Sequence, residues 1–103
     1  MEQRETGRRQ LNVSRAKRYV IRGRVQGVGY RYFVADAAER LNVKGFVRNL
    51  VNGDVEVHAE AADAALELFK RELERGPRMA RVSEVIESDV PASGVYSSFL
   101  IRG

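Results

Sequence analysis

The dipeptide Asn52-Gly53, set between two runs of strand-forming residues, constrains this chain more than any other feature. Asn-Gly supplies the positive φ values of a two-residue type I′ turn, so Gly45 to Val51 and Asp54 to Glu60 are predicted to pair as a hairpin. In the second arm Val55, Val57 and Ala59 alternate with Asp54, Glu56, His58 and Glu60. One face of that arm is expected to meet a core and the other to meet water. His58 falls among the acids of the wet face and reads as a surface histidine.

Amphipathic segments flank the hairpin. Phe33, Val34, Ala37, Ala38 and Leu41 recur at three-to-four spacing between Tyr30 and Leu41, and Ala62, Ala65, Leu66, Phe69 and Leu73 do so between Ala61 and Arg75. Each run predicts a helix with one stripe to bury. Asn42 and Gly76-Pro77 are stop signals, and Asp63 suits the positive end of the second helix dipole. Ahead of the first helix, Tyr19, Ile21, Gly23 and Val25 alternate with Arg18, Arg22 and Arg24, which predicts a strand over Arg18 to Val25. Arg81 to Ser88 and Tyr96 to Arg102 read as two further strands separated by Pro91-Ala92-Ser93-Gly94. This order predicts an α+β, ferredoxin-like sandwich, βαββαβ plus an extra carboxy-terminal strand, with both helices on one face of a mainly antiparallel sheet. At 103 residues and 44% hydrophobic, the chain suits one core.

Net charge is +4, and its location matters more than its size. Up to Arg18 the chain carries six basic residues against Glu2 and Glu5, whereas residues 19–103 carry twelve of each sign. The excess belongs to the amino end. Met1 to Ala16 is expected to be a disordered basic extension, with the domain proper over residues 17–103. There is no cysteine and one histidine, which excludes disulfide frameworks, thiolate nucleophiles and multi-histidine metal sites. No metal and no cofactor are therefore expected. The apolar runs are too short to cross a bilayer and the first residues lack a hydrophobic leader core, so no membrane partner is expected and a cytoplasmic location is inferred.

The informative stretch is Gly23-Arg24-Val25-Gln26-Gly27-Val28-Gly29-Tyr30-Arg31, where the first strand hands over to the first helix. Glycines there let the backbone turn tightly and aim successive N–H groups at one point, and the helix end adds partial positive charge. Arg31, in the first helical turn, offers a planar fork of donors matched to phosphate oxygens. Loop and arginine together specify a phosphate-sized tetrahedral anion. Two nucleotide-binding patterns fail: no pair of glycines five apart precedes Lys-Ser or Lys-Thr, and Gly27-Val28-Gly29 is followed by Tyr30-Arg31-Tyr32 without a third glycine.

This nonapeptide resembles the first signature of the acylphosphatase family, and Gly45-Phe46-Val47-Arg48-Asn49-Leu50-Val51-Asn52-Gly53-Asp54-Val55 resembles the second. The resemblance runs from about Lys17 to Arg102 and includes the closing Phe99-Leu100-Ile101-Arg102. It implies hydrolysis of acyl phosphates to a carboxylate and inorganic phosphate without a metal. The family's catalytic arginine falls on Arg31 and its catalytic asparagine on Asn49. On this reading the amides of Gln26, Gly27, Val28, Gly29, Tyr30 and Arg31 cradle the phosphoryl group. Arg31 clamps two of its oxygens, and Asn49 holds the attacking water through its side-chain amide. Two positions depart from the pattern: Ala61 where the second signature closes with glycine, and Tyr30 where phenylalanine is common.

The implied partners are a small acyl phosphate as substrate and phosphate as product, with the chain acting as a monomer. Arg22, Arg24 and Arg48 read as solvated strand-face charges. The alternative is an RNA-binding or regulatory module of the same fold without catalysis. Lys44-Gly45-Phe46 begins like an RNA-binding motif, but Val47-Arg48-Asn49-Leu50-Val51 departs from it, and Asp54 to Glu60 holds no aromatic. A nucleic-acid partner is not expected.

Overall fold

The computed structural model describes residues 14–103. Strand β1 spans Arg15–Arg24, helix α1 Tyr30–Leu41, β2 Lys44–Asn49, β3 Val55–Ala61, helix α2 Asp63–Arg75, β4 Arg81–Val90 and β5 Phe99–Arg102. They form one five-stranded sheet in the order β4-β1-β3-β2-β5. β3 pairs antiparallel with both β1 and β2, and β5 runs parallel to β2. The ferredoxin-like arrangement expected from the element order is the one found.

Alternation decides which residues meet the helices. Tyr19 and Ile21 of β1, Val47 of β2, and Val55, Val57 and Ala59 of β3 are buried against Val34, Ala37 and Ala38 of α1 and Leu66, Phe69 and Leu73 of α2. Edge-to-face contacts of Phe69 with Tyr19, at 6.1 Å between centroids, and with Phe99, at 5.9 Å, tie α2 to both flanks of the sheet. Asn42 closes α1 in the left-handed conformation, and Gly76 closes α2 with φ of 64°.

The hairpin differs from expectation at its turn. Gly53 takes a positive φ of 99°, but among the described residues Asn42 is the only non-glycine that does so. A type I′ turn, which needs positive φ at both central positions, is thereby ruled out. Leu50 N–H instead donates to Asp54 O at 2.8 Å and Gly53 N–H to Leu50 O at 3.1 Å, enclosing the three residues Val51, Asn52 and Gly53. The Asn52 side chain accepts from Asp54 N–H at 3.0 Å, the local bond that asparagine favours in turns. The asparagine contributes its side chain rather than a left-handed backbone.

The far face of the sheet is also drier than predicted. Glu56 and Glu60 are 7% and 4% exposed. Arg18 and Arg48 grip Glu56 from the strands on either side. Residues 91–98 cross this face as a strap, and its Ser93 and Gly94 amides and Ser93 hydroxyl donate to Glu60 at 2.9 to 3.0 Å. His58 lies beneath the strap, stacked on Phe46 at 5.7 Å, against Tyr96 at 5.3 Å, and within 2.7 Å of Glu60. It is a structural histidine, not a solvated one. Tyr96, expected within the last strand, turns onto this cluster, which is why β5 begins only at Phe99.

At the amino end, β1 starts inside the segment assigned to the extension. Arg15 pairs with Ala61, and Ala16 is buried opposite Glu60 and Val90. Residues 1–13, where the rest of the basic extension falls, lie outside the described residues. Ala61 ends β3 in that pairing, and its backbone φ is not positive, so no glycine is required there.

Candidate active site

Topology gathers the predicted residues at one edge. Because β1 and β2 are each antiparallel to β3, and β5 is parallel to β2, the carboxy-terminal ends of β1, β2 and β5 share one edge of the sheet. At that edge lie the loop after Arg24, Asn49 at the end of β2, and Arg102 at the end of β5. The loop runs into the amino end of α1, so Arg31 joins them.

Local chemistry shapes the loop. Val25 is buried and fixes its start. Gly27 and Gly29 take φ of 76° and 79°, while a Cβ at either would meet open space. Glycine is therefore required there for backbone conformation rather than for room. Among the described residues the amides of Gln26, Gly27, Val28 and Gly29 donate to no main-chain carbonyl, and the first bond of α1 runs from Phe33 N–H to Gly29 O at 3.1 Å. No side chain caps α1 and its first turn holds no acid, whereas α2 begins with Asp63. The positive end of α1 therefore meets no acidic or capping side chain of its own first turn.

Arg31 is half-buried, and its guanidinium donates one bond, from an Nη, to the main-chain oxygen of Arg102 at 2.8 Å. That bond orients the group and leaves further donors for a ligand. Beside it, Tyr30 is a core residue. Its hydroxyl donates to Leu73 O of α2 at 2.7 Å, and burial pushes its phenol pKa up, so it stays a donor. Tyrosine in place of phenylalanine thus adds a bond between the two helices beneath the loop.

Asn49 stands on the helix-covered face, paired with Val55. Its Oδ1 is buried, and no donor of the described residues reaches it. A buried acceptor without a partner costs about 1 to 3 kcal/mol, so Oδ1 is open to a donor from outside the described residues. Gln26 has a second feature beyond its amide: its Nε2 donates to Leu50 O and to Asp54 O, each at 2.8 Å.

Sequence reasoning missed the Arg102 carbonyl and the side-chain bonds of Gln26. A main-chain acceptor carries no residue-type signal, and only the parallel placement of β5 beside β2 brings Arg102 near Arg31. Arg22 and Arg48 are exposed on the strand face, as expected, and each also faces a carboxylate. Arg48 is bonded to Glu56, and Arg22 lies 3.7 Å from Asp54.

Other clefts lie away from these residues. One of about 690 Å³ between α2 and strands β1 and β4 is lined by groups already paired with one another: Lys17 binds Glu87 at 2.6 Å and Asp89 at 2.7 Å, and Lys70 binds Glu87 at 2.8 Å. Neither Arg31 nor Asn49 lines it; the bend between β1 and α1, where Gly27 and Gly29 are exposed, is a separate surface notch. Among the described residues no group of three or more His, Cys, Asp or Glu could hold a metal ion, and no helix is long and apolar enough to cross a membrane.

Comparison with known proteins gives a consistent result. The Acylphosphatase family profile matches residues 17–101. An acylphosphatase of Pseudomonas paraeruginosa is 48% identical over 80 residues, which cover 78% of this chain and 87% of that relative. The crystal structure of acylphosphatase from Bacillus subtilis aligns with a TM-score of 0.83 at 31% identity, covering 86% of this chain and 99% of the other. The structure of an acylphosphatase from Coxiella burnetii aligns equally well, at 0.83 and 33% identity, over 87% of this chain and 94% of the other.

Proposed function

The chain belongs to the acylphosphatase family, and from that premise we propose that it hydrolyses acyl phosphates by direct attack of water on phosphorus, with no metal, cofactor or covalent intermediate. The amides of Gln26 to Arg31 receive the phosphoryl oxygens, and the Arg31 guanidinium neutralises them as charge shifts in the transition state. Asn49 Oδ1 accepts one hydrogen of the attacking water, which turns its lone pair toward phosphorus. Water oxygen bonds to phosphorus, the bond from phosphorus to the bridging oxygen breaks, and the electron pair leaves with the carboxylate. The proton goes to the departing carboxylate or to the phosphate, so no protein base is needed.

The acyl phosphate suits a site with this inventory. Its carboxylate is a good leaving group, so positioning and electrostatics carry the rate without a strong nucleophile. The observation that carries the reading is the buried, donorless Asn49 Oδ1 at the same strand edge as the open loop amides. An RNA-binding role draws no support from the far face, where Phe46 already stacks on His58 and carries the Arg102 guanidinium 4.1 Å above its ring. The domain is read as a monomeric enzyme, and its cysteine-free sequence fits a reducing cytoplasm.

Hydrolysis of benzoyl phosphate in heavy-oxygen water with excess EDTA tests this reading. The account expects undiminished turnover and the label in inorganic phosphate. Loss of turnover with chelator would overturn the metal-free mechanism, and label confined to benzoate would overturn attack at phosphorus.

A further inference from the structure

Gln26 sits where the anion loop begins, between the buried Val25 and the left-handed Gly27. Its side chain does not turn toward the notch. Nε2 has two hydrogens, and both are spent on main-chain oxygens of the hairpin, Leu50 O and Asp54 O, at 2.8 Å each. Both oxygens belong to the neck of the hairpin, where β2 leads into its turn and β3 leaves it. Asp54 O also accepts from Leu50 N–H, and Leu50 O also accepts from Gly53 N–H. One carboxamide therefore bridges both sides of the neck to the loop, across 24 and 28 residues of sequence. The neck begins at the residue after Asn49.

The geometry points to Gln26 as a positioning residue that sets the separation between the anion loop and Asn49. The inference rests on the catalytic reading above. It adds that the two halves of the site, one from the β1–α1 loop and one from β2, are held in register by this bracket. β1 and β2 are not neighbours, since β3 lies between them, so strand pairing alone places Asn49 only at second hand relative to the loop. A water aimed at phosphorus tolerates little error, because a displacement of about 1 Å can cost on the order of a hundredfold in rate. The backbone amide of Gln26 remains in any variant, so the side-chain role is separable from the cradle.

Two variants test it. Gln26→Met keeps length and loses both donors; Gln26→Glu presents a carboxylate to two carbonyl oxygens at neutral pH and regains one O–H donor when protonated. Steady-state hydrolysis of benzoyl phosphate, inhibition by inorganic phosphate and thermal melting are measured for both, alone and combined with Asn49→Ala. Gln26→Met is expected to lower kcat by about tenfold or more while the phosphate inhibition constant moves less than about threefold. In the Asn49→Ala background the same change should lower kcat by less than about twofold, because the group it positions is gone. The kcat of Gln26→Glu relative to the parent should recover as pH falls through the carboxyl range. Equal losses with and without Asn49, weakened phosphate binding at unchanged kcat, a pH-independent ratio, or unfolding of both variants would each overturn the positioning role and leave the catalytic reading standing. Full activity of Asn49→Ala alone would overturn both.

Discussion

Replacing Arg31 by alanine removes the only side chain assigned to the phosphoryl oxygens while leaving the loop amides in place. By analogy with removal of a preorganised oxyanion donor, kcat/KM should fall by about 3 to 4 kcal/mol of transition-state stabilisation, a hundredfold or more. Asn49→Ala should behave differently, lowering kcat far more than it weakens phosphate inhibition, because Asn49 Oδ1 addresses the water and not the anion. Measured together, the two variants separate binding from attack. If Asn49→Ala instead abolished phosphate binding and left kcat intact, the division of labour would be wrong. At this scale the sequence was most legible in the backbone: Gly27 and Gly29 take the positive φ expected of the loop, and Arg31 and Asn49 stand at the same end of the sheet as that loop. It was silent on what holds Arg31, because the acceptor is a peptide oxygen 71 residues away that any residue type could supply.

The elements that frame the site depend on two devices in the sheet. Gly45 in β2 has φ of 138°, and a Cβ there would drive into the carbonyl oxygen of His58 on the paired strand. Gly45→Ala should destabilise the protein by about 3 kcal/mol or more, read as a lowered denaturation midpoint, through backbone strain and forced separation of β2 from β3. The second device is Glu60. Burial would raise its pKa, but the bonds from His58, Ser93 and Gly94 outweigh that and hold it at about 2 against an ordinary 4.5. A carboxyl depressed in the folded state contributes stability that is complete above its unfolded value and disappears as pH falls through the folded one. Acid unfolding should therefore draw on Glu60 between about pH 4.5 and 2, and Glu60→Gln should flatten stability over that window. An unchanged pH profile in the variant would contradict this. Neither device was legible beforehand. The alternation in β3 correctly split core from far face, but a period-two pattern cannot say that a strap from residues 91–98 will cover the acids. Asn52-Gly53 likewise announced a hairpin without fixing its turn, since asparagine can serve a turn either through a left-handed backbone or, as here, through a side-chain bond to the amide two residues on.

Over the whole molecule, element order and hydrophobic period determined the architecture, because two helical stripes and a half-buried hairpin have few ways to cover one another. The boundary of the domain was less visible: the basic run continues into β1, and charge composition alone does not reveal that Arg15 pairs in the sheet. Removing residues 1–13 should leave steady-state hydrolysis of benzoyl phosphate unchanged, since every group assigned to the notch lies between Gln26 and Arg102. A large fall in kcat/KM would bring that segment into the site. Where the anion goes decides the assignment of every group above, and a crystal structure of the protein soaked in orthophosphate addresses this directly. Phosphate should lie at the bend between β1 and α1, within hydrogen-bond distance of the Gln26 to Arg31 amides and the Arg31 guanidinium, with Asn49 facing it across one water. Phosphate bound elsewhere, with that bend empty, would contradict the account.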